Sequence, residues 1–259
     1  MNMTERELRL AVLIDADNAP RNAIAGIMAE AAIYGNPTIK RIYGDWTSPN
    51  MGSWKTKILE HAISPVQQYA YTTGKNATDS AMIIDAMDVL YSGRVDGFVI
   101  VSSDSDFTRL ATRLREAGMK VYGMGERKTP NSFIVACDKF IYIEVIRAKS
   151  DQLRNEEAEE PTKKKAPKAR EEREEKPIVP KSVIDLIADS LEDIADEDGY
   201  AFMGELGNLL MKKQPDFDPR NFGFSKLTNM VKSLSRFEID VRQTTAPNVK
   251  HIYLRDREG

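Results

Sequence analysis

Aspartates set directly behind apolar runs are the residues of this sequence whose type and spacing could do chemistry. The stretch Phe98-Val-Ile-Val-Ser-Ser-Asp104-Ser-Asp106-Phe107 puts two hydroxyls and two carboxylates at the end of a continuous apolar run. Such a run reads as a central strand buried on both faces. Past Asp106 the apolar positions become Phe107, Leu110, Ala111, Leu114 and Ala117, closed by Gly118, which is helical spacing. Asp104 and Asp106 thus stand where a strand turns into a helix. Taken alone they also suit an ordinary helix start, one as N-cap and one as first-turn acid. Asp15 and Asp17 follow another apolar run, Leu10 to Ile14, and Asp79 opens a helix behind the polar loop 72–77. In a right-handed parallel sheet these three turns share the carboxyl edge, where ligands bind. Four or five carboxylates gathered there repel one another unless cations lie between them. With only two histidines in the chain, an all-oxygen group suits Mg²⁺ or Mn²⁺, which in pairs drive in-line phosphoryl displacement. No Walker-type loop or Gly-x-Gly-x-x-Gly accompanies the acids, so a nucleotide cofactor is not expected.

The elements that must hold these acids alternate along the chain. Pro20 opens an amphipathic helix through Ile24, Ile27, Met28 and Ala31 to Gly35. Thr38 to Tyr43 reads as a strand, Met51 to His61 as a helix, and Pro65 to Tyr71 as a strand. The helix opened by Thr78 and Asp79 runs through Met82, Ile83, Ala86, Met87 and Leu90. Lys120 to Met124 and Phe140 to Val145 supply further strands. The expectation is an α/β domain over 1–147, with a mostly parallel sheet and helices on both faces. Residues 148–177 differ in kind. From Lys149 to Lys176 there are 9 basic and 9 acidic side chains, with Leu153 the one large apolar residue, so burial does not offset the entropy cost of ordering and the segment reads as a flexible linker. Residues 178–259 read as a small α+β winged helix. Its helices are marked by Val183 to Ile194, by Tyr200, Phe202, Leu206, Leu209 and Leu210, and by Leu227 to Leu234. A β-wing follows, with Thr244 to Asn248 as its loop.

Composition narrows the setting. A chain of 259 residues with 41% hydrophobic and 30% charged residues suits two domains of an ordinary soluble protein. Its single cysteine, Cys137, excludes an internal disulfide and points to a reducing, cytoplasmic home. No secretory signal is expected from Met1 to Leu10, and no apolar run reaches membrane-spanning length. A net charge of −3 argues against wholesale coating of nucleic acid but leaves room for a local patch. His61 and His251 lie far apart in sequence and read as neither a catalytic base nor a zinc site. Trp46 and Trp54, around a Gly- and Pro-bearing loop, read as partial core ahead of base-stacking residues.

Three stretches resemble, in order, the motifs of NYN domains, which belong to the PIN-like nuclease superfamily. They are Val12-Leu-Ile-Asp15-Ala-Asp17-Asn18, Lys75 through Asp79 to Asp85, and Val101-Ser-Ser-Asp104-Ser-Asp106-Phe107, so the resemblance spans about residues 8–146. It implies a divalent-metal site that cleaves RNA, with Asp15, Asp79, Asp104 and Asp106 as metal ligands and catalytic residues. Asp17, Asn18, Ser102 and Asp85 are implied in support, and Lys75 as a contact to RNA. Many family members read Ser-Gly-Asp where this chain has Ser102-Ser103-Asp104. Downstream, Gly199-Tyr-Ala-Phe-Met-Gly-Glu-Leu-Gly-Asn-Leu209 and the stretch from Pro215 to Leu227 are similar to OST-HTH, or LOTUS, domains, winged helices attached to RNA-handling proteins. That likeness covers about 180–256. Its surface candidates for RNA are Lys212, Lys213, Arg220, Lys226, Lys232 and Lys250, while Phe217, Phe222, Phe224 and Leu227 read as core. Residues 178–259 hold 11 basic and 14 acidic side chains, so an RNA face there must be one-sided. The function implied is a metal-dependent ribonuclease, endonucleolytic, with an RNA-binding winged helix. The alternatives are a non-catalytic RNA-binding or protein-scaffold module, whose winged helix recruits RNA or a protein partner, and a DNA-binding regulator.

Overall fold

A computed structural model describes residues 7–69, 77–149, 179–243 and 250–258. The chain divides into two compact units, Met1–Ala158 and Glu159–Gly259.

The first unit is built on six parallel strands: β1 (Arg9–Asp15), β2 (Asn36–Gly44), β3 (Ser64–Gln67), β4 (Gly97–Val101), β5 (Lys120–Gly125) and β6 (Lys139–Tyr142), in the order β3-β2-β1-β4-β5-β6. The helices are α1 (Ile24–Tyr34), α2 (Lys55–Glu60), α3 (Ala77–Tyr91), α4 (Thr108–Glu116) and α5 (Asn131–Ala136), with α6 over 143–149. β1 and β4 are apolar and buried along almost their whole length, as central parallel strands must be. Alternation divides β1 between two cores. Leu10, Val12 and Ile14 pack with Ile24, Ile27 and Ala31 of α1, while Ala11 and Leu13 pack with Met82 and Ala86 of α3 and with Leu110 and Leu114 of α4. From β1 the chain winds outward through β2 and β3, then returns to β1's other side with β4 and winds away through β5 and β6. The winding direction reverses between β1 and β4, which makes their carboxyl ends the switch-point crevice of an open α/β sheet. Gly125 on β5 keeps that crevice tight, because a Cβ there would stand 2.6 Å from the Ser102 carbonyl oxygen.

Several boundaries depart from the sequence reading. A 3₁₀ turn, Arg21–Ala23, stands between Pro20 and α1. The helix expected over 51–61 divides into a 3₁₀ stretch, Pro49–Trp54, and the short α2, as Gly52 and the proline favour. β3 ends at Gln67. The rest of that expected strand, from 70 onward, and Lys75 lie outside the described residues. Asp79 is the third residue of α3, not its cap. β6 ends at Tyr142, and Ile143 begins a helix where a strand was expected to continue to Val145.

The second unit contains α7 (Lys181–Glu192), β7 (Tyr200–Phe202), α8 (Met203–Lys213), α9 (Leu227–Lys232), β8 (Phe237–Gln243) and β9 (Lys250–Asp256), with an antiparallel sheet in the order β7-β9-β8. Val183, Ile187, Leu206, Leu210, Met230, Val231 and Leu254 form its core. Phe217 is part of that core, and Phe222, Phe224 and Leu227 pack against it, as expected. Tyr200 and Phe202 form a strand instead of the first turn of a helix. Their i, i+2 spacing fits both readings, and pairing with β9 decides for the strand. The wing loop, 244–248, and nearly all of the charged segment fall outside the described residues.

Candidate metal centre at the carboxyl edge

Register sets the site. Ile14 is paired with Val101, so β1 and β4 end level and release their polar residues into the same crevice. Asp15 closes β1 and is fully buried. Its Oδ1 accepts hydrogen bonds from the Asp17 and Asn18 amides at 3.0 and 3.3 Å, and its Oδ2 accepts from Asn18 Nδ2 at 2.7 Å and Ser102 Oγ at 2.9 Å. Burial pushes the Asp15 carboxyl above its usual range, and the Asn18 and Ser102 donors pull against that rise. Ser102 Oγ also accepts from the Asp104 amide at 3.1 Å, so one buried hydroxyl joins the end of β1 to the turn after β4. Asp104 Oδ1 accepts from the Asp106 amide at 2.9 Å, capping the 3₁₀ turn Ser105–Phe107 that leads into α4. The ordinary N-cap role and the cleft position are therefore held by the same side chain. Ser103 is buried, and its Oγ accepts from the Glu126 amide at 2.9 Å, tying the turn after β5 to the turn after β4.

Across the crevice, the first turn of α3 brings in Asp79. Asp79, Asp104 and Asp106 each offer a carboxylate oxygen within 4.8 Å of the others. Asp79 is buried, Asp104 half-buried and Asp106 exposed. Burial first, and then the carboxylates of Asp15, Asp104, Asp106 and Asp17, raise the Asp79 carboxyl to about 6. Distance groups three acids, and the electrostatics groups five. Thr78, which the sequence marked only as a helix opener, donates from Oγ1 to Asp17 Oδ2 at 3.3 Å and links the start of α3 to the end of β1. A hydroxyl beside a motif acid was the only signal for it. The donor set is all oxygen, which fits a hard divalent cation.

A family model described as the NYN domain matches residues 9–144, spanning this crevice and every strand that forms it. The chain belongs to the NYN-domain family. A second model, the OST-HTH/LOTUS domain, matches residues 174–249. Among solved structures, the chain is similar to a protein of unknown function from Vibrio parahaemolyticus. The identity is 18% over 55% of this chain and 96% of that one, with a TM-score of 0.47. It is also similar to an uncharacterized protein from Nitrosomonas europaea, at 32% identity over 38% of this chain and 91% of that one, with a TM-score of 0.29. A protein from Chromobacterium violaceum is 30% identical over 32% of this chain and 87% of that one, with a TM-score of 0.25. No curated protein matches.

Within the NYN domain, Asp85 stands apart from the acid group. It pairs with the Arg41 guanidinium and accepts from the Tyr43 hydroxyl, beneath α3. Burial, followed by the Asp85 contact, pushes the Tyr43 phenol well above its usual range. Asp88, one turn further on, is exposed. Trp54 is buried and Trp46 packs against the same core, with its Nε1 donating to the Val66 carbonyl at 2.9 Å. In the OST-HTH domain, Lys212, Lys226, Lys232 and Lys250 are exposed, as is Lys213, which forms an ion pair with Asp193 at 2.6 Å. Arg220 is turned back onto buried Asp218 at 2.7 Å, with its guanidinium Nε and Nη2 both engaged. Among the described residues no helix is long and apolar enough to cross a membrane.

Proposed function

We propose that this protein is a divalent-metal-dependent endoribonuclease whose OST-HTH/LOTUS domain holds the RNA. The observation that carries the reading is the convergence of Asp79, Asp104 and Asp106 within 4.8 Å at the switch point of an NYN domain. Mg²⁺ or Mn²⁺ bound there would polarise a phosphoryl oxygen and supply an activated water. Asp79, Asp104 and Asp106 would hold the ion. Asp15 acts mainly by positioning: its four hydrogen bonds, two from Asn18 and one each from Asp17 and Ser102, fix both the β1 turn and the hydroxyl on which the Asp104 amide rests. Exposed Asp17 lines the mouth of the crevice.

In this reading, 1–147 is the nuclease domain, 148–177 a linker and 178–259 the RNA-holding domain. Lys212, Lys226, Lys232 and Lys250 contact phosphates, with Lys213 and Arg220 already engaged by Asp193 and Asp218. The thiol of Cys137, pushed up by burial to about 12, is inert and fits a reducing cytoplasm. The test is incubation of the pure chain with unstructured and structured RNA in Mn²⁺ and in EDTA. Cleavage should need the metal and fall more than about a hundredfold in Asp104→Asn, which keeps the cap but removes the charge. Cleavage that persists in Asp104→Asn removes the catalytic assignment. RNA binding without turnover makes the chain a non-catalytic RNA-binding or scaffold module.

A further inference from the structure

The outer face of the OST-HTH sheet carries a set of side chains that the proposed cleavage leaves unused. Alternation sends Ala201, Ile239, Ile252 and Leu254 inward to the core. The register gathers the opposite set in rows: Tyr200 beside Arg255 and Glu238, Phe202 beside Tyr253 and Asp240, and Arg242 beside His251. Tyr200, Phe202 and Tyr253 take no part in the hydrophobic core of their unit and are half-buried at its surface. The Arg242 guanidinium lies 4.2 Å from the centroid of the Tyr253 ring and 5.0 Å from that of Tyr200, and Arg255 lies 4.9 Å from Tyr200. The Phe202 ring lies 5.0 Å from His251 and 5.9 Å from Tyr253. Two glycines of the Gly199–Leu209 motif shape this face. A Cβ on Gly204 would stand 2.6 Å from the Phe202 ring, and Gly199, at φ 77°, makes the left-handed turn against which the Arg255 stem rests. Asp240 and Glu238 hold the guanidiniums at 2.8 and 2.6 Å, yet the two arginine side chains remain 41% and 43% exposed.

We propose that this sheet face stacks the bases of single-stranded RNA, with Tyr253 and Arg242 at its centre. It rests on the RNA reading above and deepens it, because it names unpaired bases as the feature recognised. Aromatic rings and guanidinium planes are the surfaces on which unstacked bases lie. Same-face residues on a strand repeat every two residues, about 6.7 Å apart, roughly twice the 3.4 Å step between bases stacked in a duplex. Bases splayed from one strand fit such a series, and a stacked duplex does not. Charge does not oppose this: within the rows Arg242 and Arg255 balance Asp240 and Glu238, with Asp196 and Asp198 also near the two guanidiniums, so the face carries no strong positive field. Both guanidiniums are ion-paired, so the face takes up base planes more than phosphates, and its binding depends only shallowly on salt. His251, Tyr253 and Arg255 lie on β9, past residue 249 where the OST-HTH match ends.

The experiment uses the full chain in EDTA, with fluorescence anisotropy of a short labelled unpaired RNA and of its duplex. Tyr253→Ala and Arg242→Ala should each weaken the unpaired RNA about tenfold, within the range of one lost base stack. Tyr253→Phe should bind as the parent does, and the duplex should bind more weakly than the single strand. Should Tyr253→Ala unfold the domain in thermal melting, Arg242→Ala at its half-buried surface position decides the matter. Parental affinity in both alanine variants, with loss on replacing Lys212, Lys226 and Lys232, overturns the sheet face and leaves the RNA reading standing. Absence of RNA binding by the parent overturns both. Self-association of the parent that Tyr253→Ala abolishes, with RNA affinity unchanged, overturns the proposal by making the face a contact between copies.

Discussion

At the carboxyl edge of the NYN sheet the oxygens of Asp79, Asp104 and Asp106 stand within 4.8 Å of one another, and burial, followed by the repulsion of neighbouring carboxylates, lifts Asp79 to about 6. Several acids of the OST-HTH domain are instead paired with cations. Asp218 holds Arg220, Asp256 and Asp185 hold Arg236, Glu238 holds Arg255, and Asp240 holds Arg242. The same side chain therefore has opposite consequences in the two units. Removing a carboxylate from the NYN crevice relieves repulsion, and removing one of these from the OST-HTH domain strands a guanidinium. Carboxylates crowded this closely mark a place suited to a cation.

Three substitutions break or sharpen this contrast, with thermal melting of the full chain in EDTA as the measurement. The largest effect is expected from Asp218→Ala. Asp218 is 6% exposed, caps the 3₁₀ turn Pro219–Phe222 and holds Arg220, so its loss should destabilise the OST-HTH domain by about 3 kcal/mol. A loss below about 1 kcal/mol would show that the pair is solvated and the contrast overstated. Asp79→Asn should act in the opposite direction and somewhat less. The Asp79 carboxyl titrates near 6 in the fold against 3.8 ordinarily, so the folded state holds the extra proton between those values. Stability of the metal-free NYN domain should then fall as pH rises from about 4 to about 6 and stay low above it. Asp79→Asn should remove that slope and stabilise the domain at pH 7 by about 2 kcal/mol, after allowance for water reaching the cleft. A parent whose melting temperature climbs through this window, with no gain in the variant, would contradict the crowding. The smallest change belongs to Asp88→Asn. Its side chain is exposed on the helix that carries Asp79, and a shift beyond about 0.5 kcal/mol would show that helix charge in general, not the cleft, sets the stability.

The parallel sheet and the shared edge of the acids were legible because period and run length suffice for them. Leu10 to Ile14 and Phe98 to Val101 read as doubly buried strands and are buried strands. What could not be read was how each carboxylate is engaged. Asp15 and Asp79 look equivalent as acids of one sheet edge, yet Asp15 accepts four hydrogen bonds while Asp79 faces other acids. At about 100° per residue Asp85 points away from Asp79 along α3, but that geometry does not name its partners, because Arg41 and Tyr43 reach it from a neighbouring strand. The Tyr200–Phe202 strand was missed for the same reason: its partner, β9, lies some 50 residues on, and short aromatic spacing fits either period. Long-range pairing is the information that local pattern lacks.

The Ser102–Asp15 hydrogen bond joins residues 87 apart in sequence, and it bears on when the site comes into being. Three complete strands and three helices are made between β1 and the turn that follows β4. A growing chain that has formed β1, β2, β3 and α3 holds Asp15, Asp17 and Asp79 but neither Asp104 nor Asp106, so the trio does not yet exist. The strand that delivers the last two acids is also the one that closes the widest loop in the sheet, the slowest kind of contact to form. Assembly of the acid cluster therefore coincides with completion of the central sheet, and an unfinished or partly unfolded chain presents scattered aspartates with nothing to hold an ion.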